Sequence, residues 1–168
     1  MEKIGLFYGS STGNTEMVAE KIRDILGEDN VELINVDSAT TADVESFQNL
    51  IFGVSTWGIG DIQDDFADFM PQLEDANLEG KTVAFFGLGD QFTYADSFGD
   101  AIGMVHEAIQ DKGCSFIGQI ETTGYEYDAS KAEIDGKFIG VLLDEDSESD
   151  LTDERLAKWC AIVKPKFQ

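Results

Sequence analysis

Two runs in this chain are apolar at every position, Leu50-Ile51-Phe52-Gly53-Val54 and Val83-Ala84-Phe85-Phe86-Gly87. A strand with one wet face alternates apolar and polar residues. A strand with no polar position must be covered on both faces, which is how a parallel sheet is buried. Further β-rich runs at Ile4–Tyr8, 31–36 and 114–117, bounded by Gly, Asp or Ser, extend the pattern to about five strands, with the fourth reaching Leu88. Helix-period segments alternate with them, so the expected fold is α/β: a doubly wound sheet of about five parallel strands with helices on both faces.

The first helical segment keeps Val18, Ile22, Ile25 and Leu26 on one stripe and stops at Gly27. A second is expected over 64–70, ending before Pro71, and a third over 97–112, with Ile102, Val105 and Ile109 facing inward and Gly113 as its end. In the last, Thr152 is expected as N-cap, Asp153 and Glu154 suit the positive end of the dipole, and Leu156, Trp159, Cys160 and Val163 form the stripe. A short helix is expected around 42–47. Residues 121–137, rich in Tyr, Asp and Gly, break the alternation and are expected to be an insertion that interrupts the last strand. Residues 1–168 carry no linker or repeat and are expected to form one domain.

Charge narrows the function classes. With 34 acidic and 11 basic residues the net charge is -23, which repels phosphate backbones and anionic lipid headgroups and favours a monomer through self-repulsion. Any partner should be basic. Cys114 and Cys160 belong to no metal-ligand spacing and are expected to be reduced, mostly buried thiols. Met1-Glu2-Lys3 leads straight into the first strand without a signal-like segment, and no apolar run approaches the roughly 20 residues that span a bilayer. A soluble, cytoplasmic protein is expected.

Ligands of an open parallel sheet sit at the carboxyl ends of strands, where strand order reverses. After the first strand, Gly9-Ser10-Ser11-Thr12-Gly13-Asn14-Thr15 brings four hydroxyls and two glycines to the start of a helix, a cradle for a phosphate. The loop has no Lys or Arg, so it is not the loop that binds nucleoside triphosphates. Gly9-x-Ser11-x-Gly13 matches a nucleophile elbow formally, but the one histidine, His106, falls within a helix and reads as a surface or boundary residue rather than a base. Ser55-Thr56-Trp57-Gly58-Ile59-Gly60-Asp61 and Gly89-Asp90-Gln91-Phe92-Thr93-Tyr94 follow the third and fourth strands, each with an aromatic residue among small ones. Two such loops beside a phosphate cradle suit a flat ring held by stacking. The Gly87-x-Gly89 pair lacks the third glycine of a dinucleotide fingerprint.

These motifs together closely resemble the flavodoxins over 3–166. The family's phosphate motif, Thr/Ser-x-Thr-Gly-x-Thr, stands as Ser10-Ser11-Thr12-Gly13-Asn14-Thr15, and its flavin-flanking Trp and Tyr match Trp57 and Tyr94. Gly89-Asp90-Gln91 with Tyr94-Ala95-Asp96, and Leu143-Asp144-Glu145-Asp146, also look like the family. The insertion places the resemblance in the long-chain subgroup. It implies non-covalent FMN and a low-potential one-electron carrier, not an enzyme, shuttling mainly between semiquinone and hydroquinone.

By this resemblance Ser10, Ser11, Thr12, Gly13, Asn14 and Thr15 bind the phosphate, and Ser55 and Thr56, with Asp146, line the ribityl chain. Trp57 and Tyr94 cover the ring faces, while Asp90 and the backbone of Gly58, Ile59, Gly60 and Gly89 contact the ring edge. No metal site is implied. Residues 24–80 contain 14 Asp and Glu and no Lys or Arg, a negative field that makes an anionic hydroquinone costly and lowers the second potential. Gly58 stands where relatives often carry a residue with a side chain; the backbone carbonyl there turns toward the flavin in the semiquinone, a movement glycine eases. Ile59 and Phe92 would form an apolar contact at the exposed ring edge, ringed by Asp61, Asp64, Asp65, Asp68 and the 144–150 acidic run. Partners are then basic redox proteins of the flavodoxin/ferredoxin-NADP reductase type and other low-potential oxidoreductases. Two alternatives fit less well. A receiver domain needs acidic residues after strand one, where Ser10-Ser11-Thr12 stand. A quinone reductase needs an open ring face, which Trp57 and Tyr94 would cover.

Overall fold

The runs without polar positions occupy the middle of a parallel sheet. In the computed structural model, which describes residues 1–168, the chain runs β1 (Ile4–Tyr8), α1 (Asn14–Leu26), β2 (Val31–Asn35), α2 (Thr41–Glu45), β3 (Asn49–Trp57), β4 (Asp61–Ile62), α3 (Asp64–Asp75), β5 (Thr82–Leu88), α4 (Asp100–Ile109), β6 (Ser115–Phe116), β7 (Ile120–Glu121), β8 (Glu133–Ile134), β9 (Lys137–Phe138), β10 (Val141–Leu143) and α5 (Thr152–Val163). The sheet order is β2-β1-β3-β5, and the fifth place is shared: β6 pairs with the start of β5 at Thr82 and Val83, β10 with its end from Phe86 to Leu88. All of these pairings are parallel. The last strand is thus interrupted as expected, and the excursion between its halves folds into a small antiparallel sheet, β7-β9-β8.

Side-chain parity divides the core into two layers. Phe7, Leu50, Phe52, Val54, Val83 and Phe85 face α3 and α4, joined by Val44 of α2. Ile4, Leu6, Ile51, Ala84 and Phe86 face α1 and α5. Gly53 sits in the second layer because Phe86 lies across it: a Cβ there would be 1.9 Å from the Phe86 ring. At the amino ends of the strands, fully buried Asn49 donates to the carbonyls of Glu2 and Gln168 (2.9 Å each) and accepts from Gln168 N (3.0 Å), stitching both ends of the chain to the sheet.

Four helix expectations need correction. Pro71 lies inside α3 instead of ending the second helix at 70. Losing the proline N–H costs ~3 kcal/mol, but continuing the helix puts Leu73 in the core, which with Phe66 and Phe69 recovers ~1.5–3 kcal/mol per side chain. Thr41 Oγ1 also donates to Gln72 O (2.8 Å), satisfying the last turn. α4 begins at Asp100 rather than 97, because Gly99 at φ 68° turns the chain there. Thr152 is the first helical residue of α5, not its cap; a 3-10 turn at Ser149–Leu151 precedes it. Ile25 of α1 is exposed, and Val18, Ala19, Ile22 and Leu26 carry the buried face. The short β4, paired antiparallel with the end of β3, has no counterpart among the expected strands. Both cysteines are free thiols, Cys160 buried and Cys114 half-buried. No helix is long and apolar enough to cross a membrane.

Candidate functional site

Strand order reverses between β1 and β3, and the loops after them flank a cavity of about 350 Å³ at the carboxyl edge of the sheet. That size suits a small organic ligand. The 9–13 loop enters α1 through Gly13, whose φ of 91° is closed to most side chains. Ser10 Oγ accepts from Gly13 N (3.1 Å) and Glu16 N (3.5 Å), curling the loop over the helix end. The backbone N–H groups of Ser11, Thr12, Asn14 and Thr15 have no acceptor within the protein. Four free donors at the positive end of a 13-residue helix make an anion cradle without a cation.

The hydroxyls hold the cradle in place. Thr15 Oγ1 shares a hydrogen bond with Ser55 Oγ, tying the start of α1 to β3. Ser11 Oγ accepts from Gln63 Nε2 (3.0 Å), while Gln63 Oε1 accepts from Phe66 N (3.0 Å) and caps α3. Gly9 leaves the space Gln63 needs, since a Cβ there would lie 2.2 Å from Gln63 Oε1. Across the cavity, β3 and β4 form a hairpin around Gly58 and Gly60, at φ 51° and 96°. Thr56 Oγ1 accepts from Ala101 N (2.9 Å) and fixes that hairpin to α4.

Of the expected site residues, Thr12, Asn14, Ser55, Thr56, Trp57, Gly58, Gly89, Asp90, Tyr94 and Asp146 line the cavity together. Ser10, Ser11, Gly13 and Thr15 belong to the cradle but are not among the residues lining the cavity. Ile59 lies outside it at 88% exposure, and Gly60 faces Asp100 and Ser97. Trp57 and Tyr94 are each 41% exposed, which for large aromatic rings beside a cavity leaves much apolar surface uncovered. Phe92, at 53% exposure, lies two residues before Tyr94 in the same loop and does not line the cavity.

The cavity wall is acidic and contains no Lys or Arg. Partial burial, then the charges of Asp90, Asp144 and Glu145, push Asp146 up. Burial acts on Asp90 in the same sense but is outweighed by hydrogen bonds from the amides of Thr93 (2.9 Å) and Phe92 (3.1 Å), leaving Asp90 below its ordinary value. The acidic 144–150 run, expected as a surface ring around the exposed edge, is corrected in part: Asp144 is fully buried, accepting from Gln91 N (3.2 Å) and Gln91 Nε2 (3.1 Å), and Glu148 is paired with Arg155 (3.0 Å). His106 lies half-buried beside Phe85 and Phe116, and burial lowers its pKa.

The cavity has members that sequence reading missed. Ser97 is buried, lines the wall, and its Oγ has no hydrogen-bond partner. A buried hydroxyl left unpaired is costly, so a polar ligand atom reaching it would be favoured. Glu145, Leu88 and Phe98 also line the cavity. A serine after Tyr-Ala-Asp carries no signal of its own; Glu145 adjoins Asp146 and was within reach of the acidic motif.

A family model described as "Flavodoxin" matches residues 6–159. A flavodoxin of Nostoc sp. (strain PCC 7120) is 49% identical over 166 residues, covering 99% of this chain and 98% of that protein. Flavodoxin 2 of Escherichia coli (strain K12) is 49% identical over 159 residues, covering 94% and 92%. Among solved structures, the Fusobacterium nucleatum flavodoxin bound to flavin mononucleotide superposes with a TM-score of 0.95 at 32% identity, over 100% of both chains.

Proposed function

The chain belongs to the flavodoxin family, and from that premise we propose that residues 1–168 form one FMN-binding unit that carries single low-potential electrons between redox proteins, using mainly the second of the two steps FMN offers. One observation carries this reading. A cation-free cradle of unpaired amides, which reaches the cavity through Thr12 and Asn14, and a pair of half-exposed aromatic rings share one cavity at the strand-order reversal. A phosphate at one end and a flat ring at the other fit those two features, and the unpaired Ser97 hydroxyl suits a polar ring edge.

In this reading the 10–15 loop binds the phosphate, Ser55, Thr56 and Asp146 line the ribityl chain, and Trp57 and Tyr94 cover the ring. Asp90 and the backbone of 58–60 and 89 meet its edge. Bound FMN supplies one-electron exchange. The chain supplies orientation, exclusion of water from the ring faces, and a field that opposes added negative charge. Asp90, Glu145 and Asp146 in the wall, with no cation among the lining residues, make the second electron harder to add.

The test is the visible absorption spectrum of the purified protein during stepwise anaerobic reduction. A yellow protein that takes up electrons one at a time supports the carrier. Protein that stays colourless after incubation with FMN overturns it, and steady turnover of NADPH with a quinone, without added reductase, would make it an enzyme instead.

Gly58 already holds the left-handed conformation in the hairpin, with room for a side chain but the wrong backbone for one. A β-branched residue there costs ~1–2 kcal/mol. In this reading the one-electron-reduced protein depends on that left-handed turn and the other redox states can leave it, so Gly58→Val is expected to lower the yield of the one-electron-reduced protein at half-reduction, through a roughly 5–30-fold change in the equilibrium between redox states. Its long-wavelength absorption band measures this, and an unchanged band counts against the account.

Docking follows from the rim. Ile59 and Phe92 are exposed in the same two loops as Trp57 and Tyr94, and Asp61, Asp64 and Asp68 are exposed nearby in the sequence. Association with a basic reductase of the flavodoxin/ferredoxin-NADP type should slow by about tenfold or more between low and physiological salt, as screening shortens the steering range to roughly 8 Å. Stopped-flow rates across ionic strength check this, and a flat dependence would remove steering.

A further inference from the structure

We infer that the segment between the two halves of the last strand braces the cavity wall formed by residues 89–98, and that Gln91 is the positioning residue joining them. The inference rests on the proposed FMN site, because that wall carries Asp90, Tyr94 and Ser97.

Gln91 is buried and does not line the cavity. Its amide is fully engaged on the side away from it. Nε2 donates to Asp144 Oδ2 (3.1 Å) and to Glu148 Oε1, and Oε1 accepts from Glu126 N (2.6 Å) in the inserted segment. Its backbone N–H donates to Asp144 Oδ2 as well (3.2 Å). Two donors and an acceptor on one planar group satisfy two carboxylates and an amide at once, which no charged or apolar side chain of that size can do. Arg155 completes the link from α5: Nη2 donates to Glu148 Oε1 (3.0 Å) and Gly124 O (3.2 Å), and the guanidinium lies 4.1 Å over the Tyr125 ring.

The same segment grips the rest of the wall. Asp128 N and Ala129 N both donate to Ala95 O (2.9 and 3.0 Å), and Lys131 N donates to Asp100 Oδ1 (2.8 Å). Phe98 packs against Tyr125, Tyr127 and Phe138 at 5.7–6.1 Å between ring centres. Gly103 of α4 approaches the backbone of Lys131 so closely that a Cβ would lie 2.3 Å from its carbonyl oxygen. The wall is thus held on its outer face by the insertion while its inner face meets the ligand, so loosening the outer contacts moves Tyr94 and Ser97.

The test uses Gln91→Met and Arg155→Met in the full chain, with FMN and riboflavin titrated separately into the apoprotein by quenching of flavin fluorescence. Gln91→Met is expected to weaken both flavins by about tenfold and Arg155→Met by about threefold, with the FMN-to-riboflavin affinity ratio unchanged because the phosphate cradle is intact. The double variant should be little worse than Gln91→Met alone, since both cut one network. Asn49→Ala, at the opposite end of the sheet, is the control: it should lower the apoprotein's thermal midpoint and leave both affinities within twofold. Flavin affinity within twofold of native in Gln91→Met overturns the inference, as does an equal loss in Asn49→Ala at matched stability. If the native chain binds neither flavin, the FMN reading falls and the inference with it; native binding with unaffected variants overturns the bracing role alone.

Discussion

Trp57→Ala is expected to raise the dissociation constant for FMN by about 10–100-fold, and Tyr94→Ala by a similar factor. Stacking a flat heteroaromatic ring on an aromatic side chain contributes ~1–3 kcal/mol, and ~1.4 kcal/mol is a factor of ten. Both side chains are 41% exposed beside the cavity, so covering them with a ring removes apolar surface from water that nothing else in the chain removes. Trp57→Phe and Tyr94→Phe should keep most of the affinity, because they retain the ring. Fluorescence titration of the apoproteins measures all four. A Kd within threefold of native for both alanine variants would mean that the ring is not held between these residues.

Trp159→Ala should destabilise the apoprotein by ~3–5 kcal/mol, the cost of emptying a large buried aromatic site. Trp159 is almost fully buried in the layer shared by α1, α5 and the sheet, and its Nε1 donates to Gly118 O (3.0 Å). Gly118, at φ 89°, leaves the space: a Cβ there would lie 2.8 Å from Trp159 Nε1. Domains are stable by only ~5–15 kcal/mol, so this one substitution removes a large share. Trp159→Phe refills most of the volume and leaves the Gly118 carbonyl unpaired, for ~1–3 kcal/mol. Denaturant midpoints measure both. One cooperative transition with an unchanged slope would support residues 1–168 unfolding as a unit; separate transitions would argue for independent parts.

The strands were legible because their signal is local. Residues 50–54 and 83–88 have no polar position, and only a doubly covered strand tolerates that. The cradle and the two aromatic loops were legible for a related reason: at a strand end of a parallel sheet, composition and location point to the same chemistry. What escaped depends on contacts made across the fold. Pro71 is a strong stop signal overruled by the burial of Leu73. Gly99 starts α4 because of a backbone turn that any helix-period count passes over. Asp144 sits in an acidic run that reads as solvated, yet it is buried and hydrogen-bonded by Gln91, 53 residues away. Ser97 becomes a cavity residue only when 3-10 and α4 turns swing it inward, and nothing beside it in the sequence announces that.

The Asn49 clasp bears on how the molecule can be handled. Glu2 and Gln168 meet at one spot, at the amino ends of strands whose carboxyl ends carry the cavity. β3 alone spans nine residues, roughly 30 Å of extended chain, between those two places. A linker attached through either residue therefore leaves from the pole opposite the Trp57 and Tyr94 rim. Immobilised on an electrode by such a linker, the molecule would turn that rim toward solution and diffusing partners; wiring it directly to the metal would need an anchor near 59 or 92 instead.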